Sequence, residues 1–177
     1  YDDLDHMNIC RTSGYRAGVD CDVVDTLWIV RNAARTSLCP YHQRILVNGT
    51  STERVRPGPN AHMKSWFILP PAMEHYYVQT HSNYRSVPPW ATGAIPVEGI
   101  PHIEMIYPEN NARILIPVQL KGTTGRVVLQ ATHRDPDATL HWDLDGEPIG
   151  TTRHEHELTV DMNDGSHALT LTDQYGR

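Results

Sequence analysis

Two-residue alternation of apolar and polar side chains runs through the second half of this chain and limits its fold more than any other feature. Ile114, Ile116, Val118 and Leu120 fall on one face of an extended segment. Val127, Leu129 and Ala131 do the same, as do Leu140, Trp142 and Leu144, then Leu158, Val160 and Met162, and finally Leu169 and Leu171. Successive side chains of a strand point to opposite sides, so this pattern fits antiparallel sheet with one buried face. The interruptions carry turn chemistry. Residues 122–125 are bounded by glycines, Asp135-Pro136-Asp137 breaks the next pair of runs, and Asp145-Gly146 and Asp164-Gly165 are two-residue hairpin signals. Roughly six short strands with turns about every ten residues predict an immunoglobulin-like antiparallel sandwich over residues 98–177. Trp142 is its expected core anchor. No Cys lies in this half, so packing alone must hold it together.

Residues 1–97 read differently. They are irregular, rich in Pro and aromatics, and contain all three Cys of the chain. Cys10 and Cys21 bracket a Gly-punctuated loop. Residues 27–30 predict a strand. Residues 44–47, an Asn48-Gly49 turn and residues 51–55 predict a hairpin. Residues 65–71 (Ser-Trp-Phe-Ile-Leu-Pro-Pro) form a second apolar segment. Residues 72–79 then predict one short helix, since proline is tolerated at a first turn where its missing N–H has no intrahelical partner. Residues 88–96 are the expected linker. The whole chain is therefore expected to be mainly β, a β-rich Pro- and Cys-containing segment followed by a sandwich. A formal net charge of −6 argues against nucleic acid as a partner, because such partners select basic patches. No apolar run approaches the roughly 20 residues that a membrane-spanning helix needs. Tyr1 opens directly into an acidic segment, so any targeting address is expected upstream.

Several motifs, taken in order, resemble the region that follows the transpeptidase domain in the penicillin-binding protein 1C family. They are Cys10, Ser13-Gly14, Cys21 and Cys39-Pro40-Tyr41-His42, then Trp66 to Pro71 and the Tyr76-Tyr77 pair, then the Trp142 to Gly146 and Gly165 to Arg177 runs. The resemblance spans nearly the whole chain and implies a non-catalytic accessory module. Its parent would be a periplasmic peptidoglycan glycosyltransferase and transpeptidase, tethered to the inner membrane through an upstream segment. The implied partners are the transpeptidase domain of the same chain and, beyond it, peptidoglycan or cell-wall synthesis proteins. The resemblance also implies one further strand after Arg177. Acyl-serine chemistry in penicillin-recognising enzymes uses Ser-x-x-Lys, Ser-x-Asn and Lys-Thr-Gly elements. None is complete here. Lys121-Gly122-Thr123-Thr124-Gly125 has the wrong order and reads as a turn, so no catalytic residue is assigned.

The implied extracytoplasmic location favours oxidation of thiols, and Cys10 with Cys21 is the disulfide candidate. Such a bridge would close a small loop, worth about 3 kcal/mol or slightly less in the entropy model. The competing arrangement uses Cys10, Cys21, Cys39 and His42 as four ligands of a structural zinc, with Cys39 and His42 at C-x-x-H spacing. Free thiols are the third possibility. No cofactor is expected otherwise.

Trp66, Tyr76, Tyr77 and Trp90 are the candidate binding residues, able to stack on sugar rings or to pack against protein together with Tyr84. Other tempting patterns carry less. His154-Glu155-His156-Glu157 lacks the second His of a zinc-protease helix; its alternation predicts a strand with both His on one face. Asp161 to Gly165 has its Gly one position early for a calcium loop. Asn48-Gly49-Thr50 fits a glycosylation sequon, but the hairpin turn accounts for it.

Overall fold

The structure is a computed structural model of the 177-residue chain and describes residues 3–31, 37–94, 99–116 and 125–177. It is mainly β, with antiparallel sheets and one helix among the described residues. The chain divides into two compact units, Tyr1–Leu69 with Arg85–Val97, and Pro70–Tyr84 with Glu98–Arg177.

Among its described residues, the first unit holds two two-stranded ribbons. β1 (Leu4–Cys10) pairs with β2 (Val24–Val30), from Leu4 opposite Val30 to Cys10 opposite Val24. β3 (His42–Val47) pairs with β4 (His62–Phe67), from His42 opposite Phe67 to Val47 opposite His62. The predicted turn at Asn48-Gly49 forms, but its predicted return strand at 51–55 does not. The Asn48 side-chain oxygen accepts the N–H groups of Thr52 and Glu53, diverting backbone donors from a ladder. Arg54 donates its N–H to Pro89, leaving only a single bridge to Val47. The chain therefore pairs with β3 seven residues later than 55, at His62. Met7, Cys10, Ile45, Val47, Trp66, Ile68 and Leu69 are the unit's buried apolar residues.

The second unit begins with α1 (Pro71–Thr80), placed where the Pro-Pro signal predicts it. Five of the following strands are β5 (Ile103–Tyr107), β6 (Arg126–His133), β7 (Thr139–Leu144), β8 (Glu147–Arg153) and β9 (Glu157–Asp161); the last is β10 (Leu169–Asp173). They form two three-stranded antiparallel sheets, ordered β5-β6-β9 and β10-β7-β8. Val127, Leu129 and Ala131 from the first sheet meet Leu140 and Trp142 from the second in one core. Leu158, Val160, Leu169 and Leu171 pack around it. This is the alternation of the sequence turned into packing, and it is consistent with an immunoglobulin-like sandwich. The sheets sit close together: a Cβ at Gly150 would come within 3.2 Å of the Leu158 side chain.

The Asp145-Gly146 hairpin forms between β7 and β8, with both residues at positive φ (55° and 85°), as a two-residue primed turn requires. Asp164-Gly165 is not a hairpin. β9 and β10 belong to different sheets, so this turn carries the chain from one to the other, and Asp135-Pro136-Asp137 does the same between β6 and β7. His154 and His156 do not share a strand face. They lie in the turn before β9, with His154 at φ 67° and exposed, and His156 buried beside Thr152. Residues 112–116 are not strand, although Ile114 and Ile116 still pack on the core. The rest of that expected strand, and residues 121–124 of the Lys-Gly-Thr-Thr-Gly turn, lie outside the described residues.

The C-terminal turn closes on a buried carboxylate. Asp173 accepts hydrogen bonds from the N–H groups of Tyr175 and Arg177 and from the Arg177 guanidinium, and its Oδ2 lies 3.5 Å from His133 Nε2. Burial pushes this carboxyl up, but those donors outweigh it and hold it below the usual carboxylate range. A group with a depressed folded-state value stabilises fully above its unfolded value and loses that contribution as pH falls through the folded one. Acid unfolding should therefore steepen below about pH 4, the unfolded Asp range. Asp173→Asn should lower stability at neutral pH and flatten this acid limb. Urea midpoints across a pH series would show it; an unchanged slope would remove Asp173 as the cause.

Candidate functional site

Three separate stretches of the first unit converge on one point. Cys10 ends β1, and the chain turns at once: Cys10 donates its N–H to Tyr15, and Gly14, at φ 74°, donates back to the Cys10 carbonyl. The loop then returns along β1, where Ala17 donates to Asn8, and a turn from Gly18 delivers Cys21. Cys39 is fixed to this loop by donating its N–H to Arg16. His42 opens β3 three residues on, with Phe67 opposite it in register and the two rings 5.2 Å apart.

The donor atoms of Cys10, Cys21, Cys39 and His42 all lie within 4.8 Å of one another. His42 Nδ1 is 3.5 Å from Cys10 Sγ and 3.4 Å from Cys39 Sγ. The other ring nitrogen, Nε2, is 3.2 Å from the Asp22 carboxylate. Ser13 donates its hydroxyl to Cys39 Sγ at 3.1 Å, and Gly18 donates its N–H to Cys21 Sγ at 3.3 Å. Cys10 and His42 are buried; Cys21 and Cys39 are half-buried, and all three cysteines are free thiols.

Their proton affinities are driven apart. Burial, with Cys10 and Cys39 as neighbours, pushes the Cys21 thiol up to about 12 despite the Gly18 N–H. Burial also raises Cys39, but the Ser13 hydroxyl, the His42 ring beside it and the Tyr41 and His42 backbone outweigh it and bring this thiol down to about 6. Cys39 thus ionises more readily than Cys21, and the thiolate is the form that attacks a disulfide or binds a metal. Chemically, the cluster can close a disulfide between two of its sulfurs or hold a four-coordinate cation.

The candidate binding aromatics divide between the two units. In the first, Trp66 is buried and donates its indole N–H to the Arg85 carbonyl at 2.9 Å. Trp90 is half-buried, with the Arg54 guanidinium 4.8 Å above its ring. Trp66 therefore offers no open ring face of the kind a sugar stacks on, and Arg54 covers one face of Trp90. In the second unit, Tyr77 stacks on His81 with ring centres 3.7 Å apart and meets Tyr84 edge-on. Tyr76 is exposed on α1.

An apolar surface that the sequence reading did not single out lies on β2. Val24, Trp28 and Val30 alternate along it and are all exposed, Trp28 by 64%, with His6 of β1 packed on the Trp28 ring at 3.6 Å. The signal was present in the apolar run at residues 27–30, but nothing local distinguishes an outward face from a buried one. Among the described residues, no helix is long and apolar enough to cross a membrane.

No curated protein and no solved structure is matched by this chain. A family model does match, the Penicillin-Binding Protein C-terminus Family, over residues 93–177. That span takes in both three-stranded sheets and the Trp142 core. Residues 93–177 are thus similar to the C-terminal region of penicillin-binding proteins.

Proposed function

We propose that this chain is a non-catalytic accessory module of a periplasmic, membrane-anchored peptidoglycan synthase resembling penicillin-binding protein 1C. In this reading it packs against the transpeptidase domain of the same parent protein and offers a surface for protein interaction. The family match over residues 93–177 carries the reading. The open face of β2 supports the packing role, since a row of exposed Val and Trp is costly to leave in water and aromatic anchors dominate protein interfaces.

The test is capture of the parent's transpeptidase domain by the purified 177-residue chain, read by calorimetry. Binding is expected, and Trp28→Asp should weaken it at least about tenfold, the loss typical of an aromatic anchor. Because Trp28 is exposed, the thermal midpoint of the variant should stay where it was. No binding, or binding indifferent to Trp28→Asp, would count against the packing role.

A second reading, glycan binding, is supported by one observation: Tyr76 is exposed and Tyr77 lies one position on along the same helix. Pull-down with isolated sacculi separates the two readings. Glycan binding predicts retention that is lost in Tyr76→Ala and kept in Trp28→Asp.

A further inference from the structure

We infer that Cys10, Cys21, Cys39 and His42 form a closed, structural zinc site that braces the first unit. Geometry carries this. In a tetrahedral site with Zn–S near 2.3 Å and Zn–N near 2.0–2.1 Å, the sulfur-to-nitrogen edge is about 3.5 Å. The two edges from His42 Nδ1 to Cys10 and Cys39 are 3.5 Å and 3.4 Å. All four donors lie within 4.8 Å of one another, a cage that a small adjustment closes.

The surroundings point the same way independently of the ligand set. Asp22 sits 3.2 Å from His42 Nε2. A carboxylate there holds the proton on Nε2 and leaves the Nδ1 lone pair facing the sulfurs, the usual outer support of a zinc-bound imidazole. The Ser13 hydroxyl and the Gly18 N–H each donate to a sulfur, as they would to a thiolate on a metal. Binding forms three Zn–S bonds and one Zn–N bond and displaces to solvent the protons that the sulfurs still carry. With four protein ligands no position stays open for water, so the ion serves the fold and not catalysis. A disulfide would use two of the sulfurs and leave the third, with the oriented imidazole, unexplained.

The first unit also needs such a brace. The regular structure of its described residues is two two-stranded ribbons, and an isolated ribbon of that kind is marginal in water. The site joins the end of β1, the loop that follows it and the start of β3, and β1 and β3 share no ladder among the described residues. Small units with thin cores are commonly held by a metal or a disulfide. The inference is independent of the accessory-module reading, and either can fail alone.

The experiment uses the whole chain, purified in reducing buffer without a metal-affinity tag. Native mass and elemental analysis should find one zinc per chain. All three cysteines should resist alkylation until denaturant and chelator are both present. Cobalt(II) put in place of zinc should show the visible bands of tetrahedral thiolate coordination. Asp22, exposed on its loop, gives a variant that should fold: Asp22→Asn should lower zinc affinity roughly 10–100-fold with the circular dichroism spectrum unchanged. A chain lighter by two hydrogens, metal-free and with one alkylatable thiol, would overturn the inference in favour of a disulfide. Substoichiometric zinc, or an affinity indifferent to Asp22→Asn, would overturn it too.

Discussion

Trp142→Ala is expected to cost the second unit about 3–5 kcal/mol, the usual range for deleting a buried aromatic. Trp142 is fully buried on β7, the central strand of its sheet, opposite Leu171 of β10 and Gly150 of β8. The glycine opposite carries no side chain, and Leu158 packs over it. The ring N–H donates to the Thr152 hydroxyl at 2.8 Å, which also lies 3.1 Å from His156 Nδ1. Trp142→Ala therefore opens a cavity and breaks this polar chain together. For a unit of this size, each kcal/mol lowers the thermal midpoint by about 4–8 °C. Trp142→Phe keeps most of the packing and drops the hydrogen bond, and should cost less than the Ala variant. Calorimetry on the three proteins tests the ranking. A midpoint for Trp142→Ala within about 1 kcal/mol of the parent would mean that the indole does not anchor this core.

What the sequence made legible here followed from local chemistry. The faces of β6 and β7, the Trp142 anchor, the Asp145-Gly146 hairpin and the proline-led start of α1 each rest on side-chain period or turn preference. These act over a few residues and survive folding unchanged. The errors were non-local. A turn signal such as Asp164-Gly165 says that the chain reverses, but not whether the next strand joins the same sheet, and here it joins the other. The return strand at 51–55 failed because the Asn48 side chain took up the N–H groups of Thr52 and Glu53, a competition that propensity does not register. β1 and β5 escaped notice because Leu4–Cys10 and Ile103–Tyr107 mix charge with apolar residues at no clean period. At the candidate site, spacing suggested the four ligand-type residues. The Asp22 support on His42 could only be seen in three dimensions, since the loop from Gly18 to Val24 is what brings it there. The Trp66 ring shows the converse: aromatic content suggests a platform, and only burial reveals that this ring is already occupied.

Glu74→Ala should destabilise the second unit by about 3–5 kcal/mol, the cost of stranding one member of a buried ion pair. α1 has no continuous apolar stripe to seat it. Met73, Tyr76 and Val78 are exposed, and the buried residues of the helix are Pro71 and Glu74. Its attachment is polar instead. Glu74 pairs with Arg134, just beyond β6, with both side chains only 8% exposed. Glu104 of β5 accepts the N–H of Ala72 at 2.8 Å, satisfying a donor that a helix start leaves without a partner. Arg134 also donates to the Pro101 carbonyl at 2.8 Å, a bond that opposes its guanidinium swinging out to water when Glu74 is removed. The loss should therefore exceed that of an exposed pair, which is about 0–1 kcal/mol. The reverse substitution, Arg134→Met, should be similarly damaging because it buries a lone carboxylate. The double variant Glu74→Met with Arg134→Met should recover much of the loss, since apolar replacement of a whole buried pair is often neutral. A double-mutant cycle from urea midpoints isolates the coupling. A coupling energy below about 1 kcal/mol would place the pair in solvent and leave the docking of α1 to Glu104 and Pro71.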